Sequence, residues 1–169
     1  MNTANKRYFR VSRNSWGAQA ERKVFRILRE LGENFAVLND MDARYGNIDH
    51  VVIRKNGTVF LIETKSHRGR VTVRGGQILL DGQPFKRNVI AQINRNIIWL
   101  REFINARIGS KPWIVAVVVF TNALVCSPKG QRVLHLGPAN SINVIDVKCL
   151  RRTLEQYPSE KETTNVIWN

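Results

Sequence analysis

The chain reads as an α/β domain: a mixed sheet flanked by helices, in the order helix, three strands, accessory hairpin, helix, strand. Three observations predict this. Two stretches, near 15–31 and 86–108, carry apolar residues at the 3.6-residue period of an amphipathic helix. Between them, apolar runs of strand length are punctuated by turn signals at Asn56-Gly57, Gly75-Gly76 and Asp81-Gly82. Finally, Trp113 to Phe120 is apolar almost throughout, as expected of a central strand covered on both faces.

Each element follows from local chemistry. Residues 1–14 are polar and basic without a period, and read as a flexible basic arm. The first helix is expected from Ser15 to Leu31, ended by Gly32, a natural left-handed terminator. Trp16, Ala20, Val24, Phe25, Ile27, Leu28 and Leu31 form its apolar stripe. Glu21 lies on the border of that stripe, apart from the solvated charges. A short strand, 35–38, and a loop, 39–46, come next. A hairpin of strands 49–54 and 58–65 follows, then a second hairpin over RVTVRGGQILLDGQ. The second helix is expected from Lys86 to Ile108, closed by Gly109. Strands are expected at 133–136 and 142–147, and a last helix over 148–156. The domain is placed at 15–147, with a C-terminal helix and tail at 148–169.

Composition bounds the function. Of 169 residues, 43% are hydrophobic and 24% charged, which suits a soluble globular protein. Lys and Arg total 27 against 13 Asp and Glu, a net charge of +14, and the pI is near 10.7. An excess of this size points to a polyanion, most simply DNA. A membrane surface would favour a dense basic cluster, whereas here the charge is spread from Lys6 to Lys161. Two cysteines, Cys126 and Cys149, are too few for a disulfide scaffold, and the N-terminus has no apolar signal region, so a cytoplasmic protein is expected. His50, His67 and His135 lack zinc-ligand spacing, and no GxSxG or GxxxxGK[ST] is present.

The chemistry concentrates in NIDHVVIRKNGTVFLIETK, residues 47–65. A two-residue Asn56-Gly57 loop would set Asp49 opposite Thr64. A three-residue loop with Gly57 in a left-handed bulge would set it opposite Glu63. Slipping by one residue flips every side chain, so the register decides the site. Opposed carboxylates repel, and a divalent cation would reconcile them. The backbone carbonyl of Thr64 offers a third oxygen, and Lys65 projects to the same side as Glu63. Three acid-x-Lys triplets occur, at Glu21, Glu63 and Asp146, and only Glu63 has an acid across a hairpin. Gln92, with Asn96 one turn on, borders the apolar face of the second helix. Packing of both helices on the Asp49/Glu63 face would bring Glu21 and Gln92 to the carboxylates.

The motifs GAQAE, GNIDHVVI and NGTVFLIETK, then Gly69, QPF, and Gln92 with Asn96, resemble the nuclease-related domain, NERD, of the PD-(D/E)xK nuclease superfamily over about residues 15–121. The resemblance implies a restriction-endonuclease-like core and a site dependent on Mg²⁺ or Mn²⁺. It implies Asp49, Glu63 and Lys65 as catalytic residues, with Glu21 and Gln92 as helix-borne partners. His67 stands where the family often has an aromatic residue. The expected activity is hydrolysis of DNA phosphodiester bonds with little sequence selectivity. The alternative is a non-cutting nucleic-acid-binding module of a larger DNA-processing complex. Lys23, Arg68, Arg70, Arg74, Lys86 and Arg87 are expected to line a groove leading to the site. A homodimer or a helicase-type partner protein is compatible with this reading.

Overall fold

The computed structural model describes residues 15–44, 46–137 and 141–158. The basic arm and nearly all of the expected tail lie outside these residues. Helix α1 spans Trp16–Arg29, followed by strands β1 Phe35–Ala43, β2 Gly46–Arg54 and β3 Val59–Arg74. The short strands β4 Gln77–Leu80 and β5 Gln83–Pro84 precede helix α2, Val89–Ile108. Strands β6 Ile114–Val125, β7 Val133–Leu136 and β8 Ile142–Asp146 follow, then a 3-10 turn, Val147–Cys149, and helix α3, Leu150–Glu155. The sheet runs β1-β2-β3-β6-β8-β7, with β4 against β3 and β5 against β4. The β3–β6 and β6–β8 pairs are parallel and the other pairs antiparallel. The expected mixed sheet and element order are therefore present, with β6 central and buried throughout Ile114–Phe120.

The two faces carry different helices. On one, Val24 and Leu28 of α1 and Leu150 and Leu154 of α3 pack on Val52, Phe60, Ile62, Val117 and Val119. On the other, Val89, Ile93 and Leu100 of α2 pack on Val51, Leu61, Ala116, Val118 and Phe120. The period-two alternation along β2, β3 and β6 supplies both layers at once. Helices α1 and α2 thus lie on opposite faces, so the packing of both on one face that would bring Glu21 and Gln92 together is not met. Truncating Phe60 or Phe120 to Ala in such a core typically costs about 3–5 kcal/mol.

Local differences from expectation have physical causes. Strand β1 runs on through the expected loop 39–46: Asn39 pairs with His50, Met41 with Ile48 and Ala43 with Gly46. As an edge strand largely open to solvent, it needs no apolar alternation there. Strand β3 is one 16-residue strand serving both expected hairpins. Helix α2 starts at Val89, later than Lys86, because the Asn88 side chain caps it by accepting the Ala91 N–H at 2.9 Å. Among the described residues, no helix is long and apolar enough to cross a membrane.

Candidate active site

The β2–β3 turn resolves the register. Arg54 N–H donates to Thr58 O at 2.9 Å and Gly57 N–H to Arg54 O at 2.8 Å, enclosing Lys55, Asn56 and Gly57. Gly57 has φ of 93°, the left-handed backbone that a three-residue loop requires and glycine supplies without strain. The ladder then pairs Ile53 with Val59 and His50 with Ile62. One step further, Asp49 falls opposite Glu63. Both belong to the α2 side, since they alternate with Val51 and Leu61 of that core.

The carboxylates are held differently. Asp49 Oδ2 accepts the Thr64 N–H at 2.6 Å, so the side chain bridges the strands where the ladder ends. Glu63 is 4% exposed. Its Oε1 accepts from Lys65 Nζ at 2.6 Å and from Gln92 Nε2 at 3.0 Å. Its Oε2 is buried and has no hydrogen-bond partner among the described residues. An oxygen left bare in this way costs about 1–3 kcal/mol, and more when charged. Gln92 and Glu63, drawn from different elements, are thus in direct contact. Asn96, one turn on, is buried within α2.

Glu21 reaches the same end of the sheet from the α1 side. Its carboxyl is held above the usual range by desolvation, and by the charges of Asp40 and Glu63 against a smaller opposing effect of Arg22. Asp49 is pushed up to about 8, first by burial and then by Glu63. The Thr64 hydrogen bond opposes this, Glu21 adds to it, and Lys65 offsets part. Carboxyl groups therefore crowd one sheet end in a chain of net charge +14, and burial together with their mutual repulsion favours the protonated form of Glu21 and Asp49.

Asp40 belongs to this acidic group and has no role in the sequence reading. The β1–β2 register places it opposite Asp49. Its φ is 49°, a left-handed backbone that Asp tolerates better than most residues, and its Oδ1 accepts from Asn47 Nδ2 at 2.6 Å. Its signal was the Asp40-Met41-Asp42 triplet, hidden because the segment reads as loop.

Among the described residues, no three His, Cys, Asp or Glu side chains form a metal-binding group. The donors present are nevertheless of the kind a hard cation uses: two carboxylates and the nearby Thr64 backbone. The partnerless Oε2 of Glu63 and the charge strain on Asp49 fit such an ion. His50 is elsewhere. It stacks on Phe25 at 6.3 Å on the opposite face, and its Nδ1 is 2.7 Å from Asn39 Oδ1.

A cleft of about 660 Å³ opens beside Lys65 and is lined by Lys65, His67, Phe85, Lys86, Arg87 and Gln92. His67 meets Phe85 edge to face at 5.0 Å. Lys86 and Arg87 are exposed at its rim. Arg68, Arg70 and Arg74 are exposed on β3 away from this cleft, and Lys23 donates from α1 to Thr121 O at 3.2 Å. The six basic residues expected along one groove are divided between two surfaces. Gly69 has φ of 123° and lies against the Asp81 carboxylate, which accepts the Arg70 N–H at 2.8 Å. A side chain at Gly69 would collide with that carboxylate, so the glycine is a packing requirement of the β3–β4 hairpin.

Comparison with known proteins assigns the frame. No curated protein matches the chain. Among solved structures, a repair endonuclease from Pyrococcus abyssi is 16% identical, over 58% of this chain and 33% of that one, with a TM-score of 0.32. An EndoMS–dsDNA complex is 14% identical, over 63% of this chain and 37% of that one, with a TM-score of 0.34. This chain thus spans about a third of the length of those two structures. The family model described as the nuclease-related domain matches residues 16–121, which contain α1, the Asp49/Glu63 hairpin, α2 and most of β6. The chain belongs to the nuclease-related domain family, NERD.

Proposed function

We propose that the protein is a Mg²⁺- or Mn²⁺-dependent nuclease that hydrolyses DNA phosphodiester bonds with little sequence selectivity. The observation that carries this reading is the Asp49/Glu63 pair, with one Glu63 oxygen engaged by Lys65 and Gln92 and the other buried without a partner beside a basic cleft. Asp49, Glu63 and the Thr64 carbonyl would hold the cation. When bound, the cation supplies Lewis acidity at the scissile phosphate. Gln92 and Lys65 both grip Oε1, which fixes the Glu63 carboxyl group and leaves Oε2 available. The Lys65 ammonium, half-buried at the cleft, orients the attacking water and meets negative charge as it develops on phosphorus. Lys86 and Arg87 hold the phosphate backbone at the rim, a contact blind to sequence. A module that binds without cutting would need no buried, unsatisfied carboxylate facing a polyanion.

The test is cleavage of plasmid DNA with Mg²⁺, with Mn²⁺ and with EDTA. Cutting is expected with either metal and absent with EDTA. Asp49→Ala and Glu63→Ala should lose it while keeping the wild-type circular dichroism spectrum. Wild-type cutting by both variants would move the active site elsewhere.

A further inference from the structure

Beyond the site, the β3–β6 ribbon separates two basic surfaces. The register passes from Lys65 opposite Phe120 to Arg68 opposite Asn122, so Ser66 and His67 of β3 face the single residue Thr121. Past this bulge, Val71 and Val125 enter the α2-side core, and their neighbours Arg70 and Leu124 turn outward. Arg68 and Arg70 alternate on this outward side, roughly 6.6 Å apart at the strand rise per two residues. The Arg68 guanidinium lies 5.1 Å from the centroid of the Trp16 ring. That contact identifies the surface with the α1 side. Leu124, the register partner of Arg70, is 47% exposed, and Trp16 is 64% exposed.

This exposed surface carries an indole beside Arg68 and an exposed leucine paired in register with Arg70. An isolated exposed tryptophan gains nothing from water, and Arg68 covers only part of the ring. A duplex keeps its base faces stacked inside, out of reach of an indole. An unpaired strand offers both a base face and a phosphate row. Arginines at alternate strand positions suit that extended backbone, and an aromatic platform beside them suits its bases. We propose that Trp16, Arg68, Arg70 and Leu124 form a binding surface for single-stranded nucleic acid, on which a base stacks against Trp16. The proposal deepens the nuclease reading and rests on it: the ribbon's other side carries the cleft and the carboxylates, so an unpaired strand held here would emerge beside the site.

The test is binding without chemistry. Fluorescence anisotropy in EDTA would compare an oligo(dT) of about 20 nucleotides, longer than the usual ~4–16-nucleotide footprint, with a blunt hairpin duplex. Trp16→Ala should weaken oligo(dT) binding about tenfold, within the range for losing one stacked base. Trp16→Phe should stay within about threefold of wild type, because a phenyl ring still stacks. Duplex binding should change less than about twofold in both variants, since phosphate contacts dominate there. Trp16 opens α1 and is largely exposed, so neither variant threatens the fold, and a thermal melt checks this. Oligo(dT) binding by Trp16→Ala equal to wild type, or an equal loss on oligo(dT) and duplex, overturns the proposal. Cutting by Asp49→Ala and Glu63→Ala decides the nuclease reading separately, because the titration in EDTA needs no catalysis.

Discussion

Two strands of the sheet carry the same kind of triplet, β3 within its length and β8 at its end. Strand β3 carries Glu63-Thr64-Lys65 and β8 leads into Asp146-Val147-Lys148, with β6 between them. Glu63 and Asp146 are each 4% exposed. Asp146 is satisfied throughout: Oδ2 accepts from Arg132 Nε at 2.9 Å and from its Nη2, and Oδ1 caps the turn by accepting the Lys148 N–H at 2.9 Å. Glu63 has one oxygen engaged twice and the other bare. Under the proposed function, equal burial with unequal satisfaction separates a carboxylate that holds the fold from one that would serve chemistry. A buried charge kept partnerless is a cost that a ligand can relieve.

The sharpest way to break this comparison is to neutralise each acid in turn. Glu63→Gln keeps the shape and removes the charge, and should lower DNA cutting by about 10³-fold, at the upper end of losses for removing one preorganised catalytic group. Asp146→Asn should leave cutting within a few-fold of wild type. Similar losses in both variants, measured by initial rates on plasmid DNA, would mean the triplets are not functionally distinct.

A second contrast uses protons. Asp49, pushed up to about 8, binds a proton near neutrality in the metal-free protein, whereas its ordinary value is 3.8. The stability from this raised value is fully present below about pH 4 and is lost as pH rises through 8. A divalent cation held as proposed would have to displace that proton. Mg²⁺ or Mn²⁺ affinity should therefore rise up to tenfold per pH unit, on the order of 100-fold from pH 6 to 8. Calorimetry at pH 7 in buffers of different ionisation enthalpy should show close to one proton released per cation. Asp49→Asn should lose this release together with the pH-dependent fall in stability. A proton count near zero for wild type would contradict a buried Asp49 that is protonated before the cation binds.

Stability should invert the order of importance. Asp146→Ala removes the cap of the turn that launches α3, and should cost about 1–2 kcal/mol. Glu63→Gln should cost less or nothing in the metal-free protein, because it removes a buried charge. Urea melts at pH 7 without metal would compare the two. A larger loss for Glu63→Gln would make its bonds to Lys65 and Gln92 structural.

Much of this site was legible because its information is local. The Lys55-Asn56-Gly57 turn carried both candidate registers, and the periodicity of α2 placed Gln92 on the border of its apolar face. Local signals could not say which sheet face each helix covers, since α1 and α2 are both amphipathic and their sides follow from strand alternation across distant segments. Hence Glu21 arrives from the side opposite α2. Asp40 stayed hidden because an edge strand exposed to water has no apolar period to announce it. The basic residues divide by plain alternation along β3, where Arg68, Arg70 and Arg74 are even-numbered and Glu63, Lys65 and Val71 odd, a signal that needs only the recognition that 59–74 is one continuous strand.

That division gives the smallest expected effect. Lys86 and Arg87 border the cleft beside Lys65, whereas Arg68 and Arg70 lie across the ribbon. If duplex DNA enters by the cleft, its affinity should fall steeply with salt: about five to seven neutralised phosphates give a log–log slope near −5 or −6. Lys86→Ala/Arg87→Ala should flatten that slope by about one to two units and weaken all sequences alike, because phosphate contacts carry no base information. Arg68→Ala/Arg70→Ala should leave the duplex slope nearly unchanged and flatten the slope for single strands. Titrations at several salt concentrations, using both substrates and both double variants, would resolve four slopes. Equal flattening on both substrates by both variants would mean one continuous basic surface, and the ribbon would not divide two routes.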